Sequence, residues 1–168
     1  MVLYFTGTNN SRYIAEKIAK SLNENIICIN DKIKDKDTST ILVKDRMIFV
    51  LPTYAWRIPK VVEEWIRKTE FLGSRKAWFI MNCGEDIGNA AKYNKDLCDD
   101  TLFTYMGTAR VVMPENYIAM FDVPDKRDYL ILYTRFIFLV TVKAGCENVF
   151  FVTDPLGDHW YVSEHDYE

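Results

Sequence analysis

The chain opens on a short apolar run, Met1-Val2-Leu3-Tyr4-Phe5, and breaks at once into Thr6-Gly7-Thr8-Asn9-Asn10-Ser11, a loop of hydroxyls, amides and one glycine. Beyond it Ile14, Ile18 and Leu22 recur at i, i+4 and i+8 with Ala15 and Ala19 alongside, which is the spacing of an amphipathic helix. A buried strand, a small polar loop and a helix N-terminus in immediate succession make an anion site. The unpaired N–H groups of the first turn and the positive end of the helix dipole converge on one point. Thr6, Thr8 and Ser11 add hydroxyl donors there, and Asn9 and Asn10 add amides. Alone, the segment reads equally well as an ordinary strand-to-helix turn, so the rest of the chain must decide.

Strand and helix signals go on alternating through residue 113. Ile26-Ile27-Cys28-Ile29 is a β-branched run for a second strand, and residues 31–40 read as a charged, solvated connection. Met47-Ile48-Phe49-Val50-Leu51 is continuously apolar, as a strand buried on both faces of a parallel sheet must be, and it stops at Pro52. Pro59 starts a second helix with Val61, Val62, Trp65 and Ile66 on one face. Ala77–Met81 is a fourth strand, residues from about Gly88 to Asp99 a third helix, and Thr104–Val112 a fifth strand closed by Pro114. This order calls for a parallel sheet with helices on both faces. In such a sheet ligands bind outside the carboxyl ends of the strands, where strand order reverses. The ends of strands one, three and four are therefore expected to form one crevice from Thr6–Ser11, Pro52–Ile58 and Asn82–Asn89.

Two familiar phosphate loops do not fit the first segment. A dinucleotide fingerprint needs G-x-G-x-x-G, and only Gly7 is present; a triphosphate loop needs a Lys after its second glycine, and none follows. A hydroxyl-rich loop without a dedicated cation suits a monophosphate held by neutral donors. Thr6-Gly7-Thr8-Asn9-Asn10-Ser11 resembles the phosphate loop of the flavodoxins, T-x-T-G-N-[ST], with Asn9 where glycine is usual. Asn tolerates a left-handed backbone best among non-glycine residues, so the loop can still form, with some weakening of phosphate affinity expected.

The second loop, Pro52-Thr53-Tyr54-Ala55-Trp56-Arg57-Ile58-Pro59, sets two aromatic rings outside a strand end between prolines, where they suit stacking on a flat cofactor. The plainer reading is that they cover the end of the sheet. The third, Asn82-Cys83-Gly84-Glu85-Asp86-Ile87-Gly88-Asn89, has two glycines that admit close backbone approach, or else it is a plain glycine-rich turn. Together the loops resemble the flavodoxin domain that is often fused to a two-cluster ferredoxin module. The resemblance covers roughly residues 1–125 and includes Met113-Pro114-Glu115-Asn116-Tyr117, of which Asn116 and Tyr117 can also reach the crevice.

The resemblance implies a flavodoxin-like α/β three-layer sandwich, with a five-stranded parallel sheet of order 2-1-3-4-5 and helices on both faces. It also implies FMN as cofactor. Thr6, Thr8, Asn9, Asn10 and Ser11 would hold its phosphate, Pro52, Thr53, Tyr54, Ala55 and Trp56 would line the flavin, and Asn82, Cys83, Gly84, Gly88 and Asn89 would close the far side. Flavodoxin is itself a standard instance of the strand-end rule.

At 168 residues and 19.7 kDa the chain suits one domain, expected over 1–145, with 146–168 a divergent tail and no separate domain. The run 129–140 is nearly all apolar but too short for a membrane span; it reads as a helix packed on the sheet, or as a strand. A net charge of −3 and a pI near 5.5 point away from nucleic acid and anionic membranes. No signal peptide opens the sequence, so a cytoplasmic location is expected. Cys28, Cys83, Cys98 and Cys146 show no C-x-x-C spacing, and with His159 and His165 they fit no standard metal site, so no metal is expected. No catalytic dyad or triad is visible. The expected function is electron transfer with a redox partner protein, ferredoxin-type or reductase. The alternatives are a flavin-dependent NAD(P)H or quinone reductase, and a flavodoxin fold that has lost FMN.

Overall fold

Three apolar runs, Val2–Tyr4, Met47–Pro52 and residues 77–81, are buried on both faces and form the centre of one parallel sheet with cover on each side. The computed structural model describes residues 1–113 together with 150–153 and 159–162. Its main sheet contains β1 (Val2–Tyr4), β2 (Ile26–Cys28), β4 (Met47–Pro52), β6 (Lys76–Cys83) and β7 (Thr104–Val112), in the order β2-β1-β4-β6-β7. Numbered among themselves these five run 2-1-3-4-5, so the order reverses at β1 and β4. The register aligns Val2 with both Ile26 and Ile48, and Met47 with Ala77.

Alternation along the central strands divides the core in two. Leu3, Met47, Phe49, Leu51, Phe79 and Met81 face one side, where α3 (Lys60–Lys68) contributes Val62, Trp65 and Ile66 and α4 (Ala90–Thr101) contributes Leu97 and Cys98. Val2, Tyr4, Ile48, Val50 and Ile80 face the other, covered by Ile14, Ala15, Ile18 and Ala19 of α1 (Asn10–Leu22). The first side is aromatic at its centre. Phe49 stacks on Phe79 with ring centroids 5.2 Å apart, and Phe71 meets Phe103 edge-on at 5.3 Å. Each such pair contributes about 0.5–1.5 kcal/mol beyond the area it buries.

Four features differ from the expectations. Residues 29–34 form a short helix, α2 (Ile29–Lys34), anchored by buried Ile29, where a solvated connection was expected to begin at 31. β3 (Ile41–Val43) and β5 (Phe71–Gly73) form a separate parallel pair, each strand only three residues long. Val61 is 48% exposed and is not on the buried face of α3. In the segment read as a tail, β8 (Phe150–Thr153) and β9 (His159–Val162) pair antiparallel. The run 129–140, the proposed boundary near 145, and Asn116, Tyr117, Cys146 and His165 lie outside the described residues. Among the described residues no helix is long and apolar enough to cross a membrane.

Candidate functional site

The first loop is built onto the end of β1. Phe5 N–H donates to the Val50 carbonyl at 3.2 Å, carrying the pairing one residue past the strand. At Thr6 a side chain takes over. Thr6 N–H donates to Asn30 Oδ1 at 2.9 Å, and Asn30 Nδ2 donates to the Thr6 carbonyl at 2.9 Å. The Cys28 thiol also lies 3.9 Å from that Oδ1. Gly7, Thr8 and Asn9 are exposed. Asn9 takes the left-handed conformation (φ 70°) in place of the usual glycine and accepts the first helical bond, from Tyr13 N–H, at 2.9 Å. No acidic residue occupies the first turn of α1, so nothing there offsets the positive end of its dipole. Asn10 begins α1, while Ser11 turns inward: it is buried, and its Oγ accepts from Asn82 Nδ2 at 2.9 Å.

The second loop is a tight hairpin. β4 runs on to buried Pro52, and Thr53 N–H donates to the Asn82 carbonyl at 2.8 Å. Tyr54 and Arg57 then exchange both backbone bonds, at 2.8 and 3.1 Å. Ala55 (φ 49°) and Trp56 (φ 59°) between them are both left-handed. A two-residue turn with two positive φ angles is the tightest reversal a hairpin can make, and it normally uses Asn or Gly. With Ala and Trp each position costs about 1–2 kcal/mol. The hairpin reaches in two directions. A Cβ built on Gly7 would sit 2.9 Å from Tyr54 Oη, and one built on Gly88 would sit 2.3 Å from Trp56 Cδ1. Tyr54 is nevertheless 51% exposed and Trp56 61%, so both residues stay largely open to solvent. Arg57 lies over the Tyr93 ring, 3.6 Å from its centroid, and lowers the pKa of that phenol by hydrogen bonding and charge.

The third loop leaves β6 at Asn82 and Cys83. The Cys83 thiol lies 3.8 Å from the Val111 carbonyl, and the Cys83 carbonyl accepts Met113 N–H at 2.8 Å. Gly84, Glu85 and Asp86 are exposed, while buried Ile87 anchors the turn. Asp86 Oδ1 accepts Ile87 N–H at 2.8 Å and faces Arg110 Nη1 at 3.3 Å. The backbone donors of Ile87 and Gly88, with Arg110, hold that carboxyl below its usual pKa. Gly88 is left-handed (φ 51°), and exposed Asn89 caps α4 without a side-chain bond.

The three strand ends therefore meet. Loop one touches loop two at Gly7–Tyr54, loop two touches loop three at Trp56–Gly88, and loop one is tied to β6 at Ser11–Asn82. Two buried hydroxyls, Thr6 Oγ1 and Thr53 Oγ1, stand at the ends of neighbouring strands without a hydrogen-bond partner. The family model for the flavodoxin domain matches residues 1–119. The chain belongs to the flavodoxin-domain family. Similar solved structures include two-electron reduced flavodoxin from Megasphaera elsdenii, at 20% identity and a TM-score of 0.45, covering 66% of this chain and 85% of that one. A flavodoxin, WrbA-like protein from Agrobacterium tumefaciens is 17% identical with a TM-score of 0.45, covering 60% and 71%. Rubredoxin oxygen:oxidoreductase from Desulfovibrio gigas is 15% identical with a TM-score of 0.42, covering 79% of this chain and 33% of that one. No match was found among curated proteins.

Membership in the family implies a flavin cofactor for this flavodoxin domain. Asn30, absent from the residues picked out of the sequence, was within reach of it. Tyr4 pairs with Cys28, so the same register carried two residues further sets Thr6 opposite Asn30.

Proposed function

We propose that this flavodoxin domain binds one FMN at the carboxyl ends of β1, β4 and β6 and works as an electron carrier. The observation that carries the reading is the reach of the Tyr54–Arg57 hairpin, which touches Gly7 of the hydroxyl-rich loop with one aromatic and Gly88 of the third loop with the other. A ligand with an anionic end and a flat ring matches that span. The partnerless hydroxyls of Thr6 and Thr53 fit an oxygen-rich group, since a buried hydroxyl left without a partner costs about 1–3 kcal/mol. Thr6, Thr8, Asn9 and Asn10 would surround the phosphate with neutral donors at the positive end of α1. Tyr54 and Trp56 would exclude water from the ring, and Gly84, Gly88 and Asn89 would bring backbone to its polar edge. Bound FMN supplies one- and two-electron transfer; the protein supplies position and electrostatics. The negative net charge opposes adding electrons and lowers the reduction potential. Its partner would be another redox protein, ferredoxin-type or a reductase.

Titrating the protein with FMN and following flavin fluorescence tests this. Stoichiometric quenching and a yellow protein are expected. A colourless protein that leaves FMN fluorescence unchanged would overturn the reading. Rapid bleaching by NADH with turnover of a quinone would move the function from carrier to reductase.

A further inference from the structure

A loop that holds phosphate with neutral donors has no point charge to draw the ligand in, so its donors must be aimed beforehand. Donors that must first be ordered lose most of what each hydrogen bond gains. The Thr6–Ser11 loop is fastened at both ends, and each time by a carboxamide. At Thr6, Asn30 uses its oxygen and its nitrogen together, 2.9 Å each, so one planar group copies the two-bond pattern of a strand residue. At Ser11, 71 residues away in sequence, buried Asn82 donates to Oγ at 2.9 Å. The backbone carbonyl of Asn82 also accepts Thr53 N–H, so the same residue ties the first loop to the second. Between the two fastenings lie only Gly7, Thr8, Asn9 and Asn10.

We propose that Asn30 and Asn82 are positioning residues, acting through Thr6 and Ser11 to hold the loop in the shape that receives the FMN phosphate. The proposal rests on the FMN reading above and adds to it two residues that hold the loop from within the protein. It reassigns Asn82 from the flavin edge to the phosphate loop, and it adds Asn30. Only a side chain with a donor and an acceptor on one plane can do the work of Asn30. A carboxylate keeps the acceptor and turns a second lone pair against the Thr6 carbonyl, whereas a protonated carboxyl regains the donor.

The test compares FMN with riboflavin, which lacks the phosphate. Wild type, Asn30→Ala, Asn30→Asp and Asn82→Ala are titrated with both, and melting temperatures are recorded on the same preparations. Asn30→Ala and Asn82→Ala should each lose FMN affinity roughly tenfold more than riboflavin affinity, as expected for one or two lost hydrogen bonds. Asn30→Asp should share that loss from pH 8 down to about 5 and recover toward wild type only as pH falls to about 4, where an aspartate of ordinary pKa takes up its proton, measured against wild type to cancel the titration of the phosphate itself. If Asn82→Ala does not fold, Asn82→Ala with Ser11→Ala removes both partners of the buried bond and takes its place. Equal losses for the two flavins, or an Asn30→Asp selectivity flat with pH, would overturn the proposal while the FMN reading stands. A wild type that binds neither flavin, or both alike, would overturn the FMN reading, and this proposal falls with it.

Discussion

Trp56 combines a costly backbone with an exposed ring. At φ 59° it occupies a region that bulky residues avoid, and its indole lies against Gly88 while the residue stays largely exposed. Strain of this kind persists only where the surroundings over-determine it, and it clusters at ligand sites. Trp56→Ala should weaken FMN by about 1–3 kcal/mol through lost burial and stacking, with the flavin potential shifting as well. The melting temperature of the flavin-free protein should change little, because alanine meets a smaller penalty at positive φ than tryptophan does. Unchanged affinity with a lowered melting temperature would mean that the ring only closes the end of the sheet. Gly88→Ala is a complementary change. A methyl group there would lie on Trp56 Cδ1, so the indole must move, and tryptophan fluorescence should shift even without flavin.

At the level of elements the hairpin yields a separate prediction. Ala55 sits at φ 49°, and glycine holds that conformation without steric cost, so Ala55→Gly should raise stability by about 0.5–1 kcal/mol in denaturant melts. The turn was hidden in the sequence for the same reason that it is strained: Ala-Trp carries none of the Asn-Gly chemistry that announces a two-residue reversal. The long strands were legible because Met47–Leu51 and Ala77–Met81 are apolar throughout, and only a doubly covered strand allows that. β3 and β5 were not, since each is three residues long and turns one leucine, Leu42 or Leu72, to solvent. α2 was masked by Asp31, Lys32 and Lys34, whose charges resemble a solvated linker. Of the site, the loops could be located from their composition. Their fastening was harder to read: Asn30 follows only once Tyr4 is paired with Cys28, and Asn82 meets a partner 71 residues away in sequence.

Two buried groups add a loss of stability in alkali at the scale of the whole molecule. Tyr4 is pushed up to about 12 by burial and then by the neighbouring Cys28, and burial, followed by the charge of Asp99, pushes the Cys98 thiol up to about 12. Both folded values exceed the unfolded ones, so the stability they contribute is complete below about pH 9 and is lost as pH rises toward 12. Thermal melts should therefore fall across that window, and Cys98→Ala should flatten part of the slope. The bond between Asn82 and Ser11 has a consequence of another kind. It closes a span of 71 residues, so a chain leaving the ribosome cannot finish its first loop until β6 has been synthesised and paired. The proposed capture of FMN would then be a late event in the birth of the protein. FMN added to a refolding chain should leave the refolding rate unchanged and slow unfolding instead, which stopped-flow measurements with and without flavin would read directly.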